Sequence, residues 1–173
     1  DLAEVQPPHP LHGMNLFNEK IKERAFIFAA RDKMDDTHDA MRAVRSKRYK
    51  YIRNLMPERA YCQYNEYKEK RYPTIAVLNV MHKEGTLSPE QSHFMAATKP
   101  VEELYDLETD PWETKNLIHK SSLQKTAATM RQALQTWQKH MHDEGVTDAF
   151  REGGWPADYP TRSLEDWKKI VGK

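Results

Sequence analysis

The densest set of side chains able to do chemistry lies between positions 31 and 39: Arg31-Asp32-Lys33-Met34-Asp35-Asp36-Thr37-His38-Asp39. Carboxylate oxygens and an imidazole are ordinary metal ligands. This stretch, however, lacks the central glycine and closing glutamate of a calcium loop. An arginine among carboxylates also suits paired hydrogen bonds to an oxyanion or to sugar hydroxyls. The plainest reading is a solvated loop between two strands, with aspartates making local turns. The stretch is thus open to three readings, a metal site, a sugar- or anion-binding loop built on Arg31, or a solvated connection, with the metal the least supported.

Other chemistries find less support. The single cysteine sits in Tyr61-Cys62-Gln63-Tyr64, with no glycine turn or local acid–base partner. A lone thiol in that setting is more often inert than nucleophilic. There is no Gly-x-Ser-x-Gly elbow, phosphate-cradling glycine loop or His-Glu-x-x-His pair. Arg42, Arg45, Lys47, Arg48, Lys50 and Arg53 interleave with Tyr49 and Tyr51. That pattern can hold a single-stranded nucleic acid by charge and stacking, or it can guard a half-exposed strand edge. With 27 basic against 26 acidic residues the net charge is only +1, which favours the edge and predicts no nucleic-acid partner. His140 and His142 lie two positions apart on a helix, so they diverge and, with His119, make poor ligands for one metal. No apolar run is long enough to span a bilayer, so no membrane partner is expected.

The elements that must position these residues can be read from periodicity and punctuation. Pro7, Pro8, Pro10 and Gly13 mark residues 1–20 as a linker. Arg24–Ala30 suits a buried strand. Ala40–Arg45 and Arg48–Leu55 form a hairpin about Ser46-Lys47. Residues 56–72 read as an irregular excursion with one helical piece. Pro73 opens a helix over Thr74–Lys83 that Gly85 ends. Ser88 and Gln91 form a capping box for a helix reaching Ala97. Glu102–Leu107 is strand-like, before a turn at Thr109-Asp110-Pro111. Leu123, Ala127, Met130, Leu134, Trp137 and Met141 recur every three or four residues, predicting one amphipathic helix over Ser122–His142. Residues 146–173 read as an extended tail with a short helix opening at Ser163. The sum is an α+β fold: a small antiparallel sheet of about four strands against one long helix.

Three stretches together resemble the C-terminal part of formylglycine-dependent sulfatases, nearest to bacterial enzymes of the heparan N-sulfatase-like type. Glu103-Leu104-Tyr105-Asp106-Leu107-Glu108-Thr109-Asp110-Pro111-Trp112-Glu113-Thr114-Lys115-Asn116-Leu117 resembles their ELYDLxxDPxExxNL signature. Met41–Ile52 resembles their R-x-V-R-x-x-x-Y-K hairpin, and His12-Gly13-Met14-Asn15-Leu16 resembles a stretch leaving the catalytic domain, with Asn15 in place of Ser. The resemblance implies the C-terminal subdomain of an alkaline-phosphatase-like fold over residues 21–145. It also implies a missing N-terminal domain that supplies the oxidised Cys or Ser of a C/S-x-P-x-R motif, calcium and its ligands. Cys62 does not match that motif, so this chain alone is expected to be inactive and to hold no cofactor. The implied parent hydrolyses sulfate esters or sulfamates on a sulfated glycan, in the periplasm or outside the cell. Its catalytic domain and that glycan are the implied partners, with the 31–39 stretch at the pocket mouth, where the resemblance makes Arg31, Asp32, Asp35 and His38 the substrate-binding residues and assigns none to a metal. The alternative is a stand-alone module that binds a polyanion through the Arg/Lys/Tyr hairpin.

Overall fold

A computed structural model describes residues 23–154 and 162–172. The linker over residues 1–20 lies outside them. Four strands, β1 (Ile27–Met34), β2 (Thr37–Arg45), β3 (Tyr49–Asn54) and β4 (Glu102–Asp106), form one antiparallel sheet in the order β1-β2-β3-β4. Side chains alternate between the faces of a strand, and the register sorts them cleanly. Phe28, Val44, Tyr51 and Leu104 line up across one face. There they meet Ala127, Met130 and Leu134 of a long helix, together with Ile118. Phe28 stacks on Trp137 with ring centroids 5.2 Å apart. The predicted amphipathic stripe is thus the core face of that helix.

The long helix begins with a single 3-10 turn at Ser121–Leu123 and continues regularly over Gln124–His140. The excursion between β3 and β4 carries the three expected helical pieces: α1 (Glu66–Arg71), α2 (Pro73–Glu84) and α3 (Pro89–Phe94). Pro73 opens α2, and Gly85 closes it in the left-handed region at φ 69°. The Ser88–Gln91 capping box opens α3, which ends at Phe94 rather than near Ala97. The long helix is α4.

Two expectations need correction. The stretch 31–39 is not a loop: β1 continues to Met34, β2 starts at Thr37, and only Asp35-Asp36 turn between them. The tail is not simply extended. It folds into α5 (Asp148–Glu152) and α6 (Leu164–Ile170), the latter opened by the expected Ser163–Asp166 capping box. α6 returns to α2, where Trp167 is buried against Ala76 and Val80. Apolar contact with residues about 90 positions earlier in the chain stabilises this short helix, which would not hold alone.

Candidate functional site

The four predicted substrate residues do not converge. Arg31 and Asp32 are neighbours on a strand and face opposite ways. Asp32 Oδ1 accepts from Arg42 Nη1 at 2.7 Å, on the side of α4. Arg42 is buried and also takes Asp143 in a two-point grip, Nε to Oδ2 at 2.6 Å and Nη2 to Oδ1 at 2.9 Å. Hydrogen bonding to Arg42 holds the Asp143 carboxyl well below the usual carboxylate range. Asp32 is therefore one arm of a structural network.

Asp35 occupies the hairpin turn with φ 50°, a left-handed conformation that Asp and Asn adopt more readily than most residues. Its Oδ2 accepts from Asn65 Nδ2 at 3.1 Å, while Asn65 Oδ1 caps the N-terminus of α1. Thr37 Oγ1 donates to the Tyr64 carbonyl at 2.7 Å. The hairpin tip is thus pinned to the excursion, beside an open cleft lined by Met34, Asp35, Asp36, Asn65, Glu66 and Tyr67.

His38 is held by the tail. Its Nδ1 lies 3.0 Å from the Phe150 carbonyl, and its ring stacks on Phe150 with centroids 4.6 Å apart. Arg59 donates to the carbonyls of His38, Arg151 and Gly153, closing the same junction from the other side. His38 is in this way a clasp for α5.

Arg31 stands apart. It shares a face with Ile27, Ala29, Met41 and Ala43, opposite the face that α4 covers. Towards β1 and β2 that face is open: Ile27 is 53% exposed and Ala29 is exposed. Towards β3 and β4 it is roofed by residues of the excursion and becomes polar. Asp39 and Lys99, both with fully buried side chains, meet there at 2.6 Å. Lys99 Nζ lies 5.7 Å from the Tyr61 ring centroid. Burial pushes the Lys99 ammonium down from its ordinary value, and Asp39 opposes that shift. Beyond it, Glu103 accepts from Asn54 Nδ2 at 2.5 Å, from Tyr61 OH at 2.6 Å and from Tyr105 OH. Burial, then the Glu103 carboxylate, raise both phenols well above their ordinary range.

Sequence reasoning missed Asp39, Lys99, Tyr61 and Glu103 as members of one network. The Glu103–Tyr105 spacing of two was a usable signal, because it puts both on one face of β4. Lys99 carried none, since 60 residues separate it from Asp39.

The signature-like stretch itself is scaffold. Asn116 lies along the outer edge of β4, where its Oδ1 accepts from Leu104 N at 3.0 Å and its Nδ2 donates to the Glu102 carbonyl at 3.1 Å. Leu117 N completes the pairing with the Leu104 carbonyl at 2.7 Å. Asp110 closes the turn by accepting from Lys115 N and Thr114 Oγ1. Asp106 takes Arg48 at 2.7 Å. The basic hairpin is likewise committed: Lys50 pairs with Glu113, and Arg53 with Glu102. Tyr51 is buried in the core. Little of that cationic surface is left uncompensated for a polyanion.

No protein-family model matches the chain. It is 42% identical over 125 residues to an ulvan-active sulfatase of Formosa agariphila, an alignment taking in 72% of this chain and 21% of that protein. The chain thus spans about a fifth of the curated relative it matches. Among solved structures it superposes on a sulfatase-type protein from Bacteroides thetaiotaomicron with a TM-score of 0.52 and 19% identity, covering 95% of this chain and 29% of that one. A 2-O GAG sulfatase gives a TM-score of 0.52 and 21% identity, covering 94% of this chain and 28% of that one. At those identities the likeness is one of fold.

Proposed function

The chain is a sulfatase-family segment with the α+β architecture of that family's C-terminal subdomain, and from this premise we propose that it is a non-catalytic subdomain completing a sulfatase. Its open sheet face packs against the catalytic domain, on the same or a separate polypeptide. That domain supplies the formylglycine, the calcium and the residues that hold the sulfate. The whole hydrolyses sulfate esters or sulfamates on a glycan, outside the cell or in the periplasm. The relative's activity on ulvan makes sulfated ulvan oligosaccharides the first substrates to try. No helix among the described residues is long and apolar enough to cross a membrane.

One observation carries this reading: Arg31 sits on the sheet face that α4 leaves open, amid Ile27, Ala29, Met41 and Ala43. An exposed apolar patch on a sheet is a surface that calls for a cover. Whatever covers it also meets the guanidinium, which is suited to a sulfate or carboxylate by charge and by its forked donors. In this role Arg31 touches the substrate at the rim of the pocket. Asp35, at the hairpin tip, reaches sugar hydroxyls further out. Asp32 and His38 hold the hairpin that carries them.

The test is steady-state kinetics of the full-length protein carrying this segment, with sulfate release from ulvan oligosaccharides as the signal. Arg31→Ala should raise KM about tenfold, the loss of one charged hydrogen bond, with kcat little changed. An unchanged KM on every sulfated oligosaccharide that the wild type turns over would remove Arg31 from the substrate site.

A further inference from the structure

Arg31 is flexible by nature, and a long side chain on a strand loses affinity if it must be ordered each time a ligand binds. Behind Arg31 the structure places a buried carboxylate. Asp39 has a fully buried side chain: its Oδ1 accepts from Lys99 Nζ at 2.6 Å. Its Oδ2 faces Arg31 Nη1 at 3.7 Å. That oxygen has no hydrogen-bond partner among the described residues, and Arg31 Nε is buried beside it without one. The Arg31 side chain is 37% exposed, so with Nε enclosed its solvent-facing part lies elsewhere on the side chain.

We propose that Asp39, anchored by Lys99, is a positioning residue that fixes the Arg31 guanidinium on the open sheet face for an anionic group of the substrate. This rests on the reading of Arg31 as a substrate contact. The charge balance fits. The buried Asp39 carboxylate lies between two cations and is already paired with Lys99 at 2.6 Å, so the Arg31 guanidinium, at 3.7 Å, keeps its charge toward the open face. The connection fits as well. Lys99 Nζ lies over the Tyr61 ring, and Tyr61 donates to Glu103, so the anchor is continuous with the rigid centre of the sheet. Arg31 alone would be a mobile cation. With Asp39 behind it, Arg31 presents its charge from a fixed place.

The experiment is a double-mutant cycle in the full-length protein with the sulfated oligosaccharide used to test Arg31. Asp39→Asn keeps an acceptor for Lys99 but removes the charge behind Arg31. It should raise KM about fivefold and leave kcat within a factor of about two. Combined with Arg31→Ala, it should add nothing, because Asp39 acts only through Arg31. A purely structural Asp39 would lower kcat and stability in both backgrounds alike. The inference is overturned if Arg31→Ala raises KM and Asp39→Asn does not, or if the two effects add. No effect of Arg31→Ala would overturn it together with the reading on which it rests. A ligand-free measurement covers the case in which Asp39→Asn does not fold. In the wild-type protein the Arg31 Nε–H should exchange with solvent at least about tenfold more slowly than that of exposed Arg45. Equal exchange rates would show an Arg31 that is not held.

Discussion

Arg42 grips both carboxylate oxygens of Asp143, 101 residues further along the chain, and with its remaining nitrogen takes Asp32. The fork spans strand β2, strand β1 and the segment that follows α4. Side-chain exposure of 4% for Arg42 and 12% for Asp143 puts the pair largely out of water. A planar guanidinium can satisfy these partners together, and an ammonium cannot. Arg42→Lys should therefore lower the unfolding free energy by about 3 kcal/mol, since it leaves buried oxygens unmatched. Urea denaturation of the two proteins would measure it. A loss under about 0.5 kcal/mol would mean that the fork contributes little beyond packing.

Asn116 offers a second, independent test. Its amide stands in for a neighbouring strand by bonding both Leu104 N and the Glu102 carbonyl. Replacing it with Leu keeps the bulk and strands three backbone groups, Leu104 N, Ile118 N and the Glu102 carbonyl. The expected loss is about 2 kcal/mol. Amide exchange should quicken first at Leu104 and Ile118, both of which donate to the Asn116 side chain.

Glu102 predicts a pH dependence. Arg131 is the main reason that its carboxyl falls from an ordinary 4.5 to about 2, with Tyr51 and Arg53 helping. The folded value lies below the unfolded one, so the contribution is complete above pH 4.5 and is lost as pH falls toward 2. Stability measured at pH 5.5 and pH 2.5 should drop by about 2 kcal/mol more in the wild type than in Glu102→Gln. Equal drops would assign acid sensitivity to other carboxylates.

Gly153 tests the tail clasp. A Cβ there would lie 2.5 Å from His38 Cε1, so Gly153→Ala must push α5 off the hairpin or shift the ring. The expected cost is about 1–2 kcal/mol, confined to one end of the fold. Hydrogen exchange should show lost protection over residues 147–154 and unchanged protection in β2 and β3. Uniform loss would mean that the clasp belongs to the global core.

These contacts explain how much was legible in the sequence. The α4 stripe, the β2–β3 hairpin and the capping residues Ser88 and Ser163 were readable because each is decided within a few neighbouring residues. The 31–39 stretch was misjudged as a loop because its strand character is conferred from far away. Arg42 donates to Asp32, Lys99 donates to Asp39 and the Phe150 carbonyl meets His38, and these partners make a highly charged strand tolerable. The candidate site suffered from the same distance effect. Adjacent Arg31 and Asp32 look like a pair in sequence, yet strand geometry turns one toward α4 and the other away. Only the pairing register shows which of them remains available.

The Asn116 plug has a consequence for how this sheet can be extended. Asn116 and Leu117 occupy the outer edge of β4, and among the described residues no strand pairs with the outer edge of β1. The sheet therefore has a growing side and a finished side. A further strand, from a partner or from another copy in an aggregate, would add along Ile27–Met34. It would lie on the flank that carries Arg31. Assembly and misassembly would compete for the same row of backbone groups, and correct docking would be this fold's protection against the other outcome.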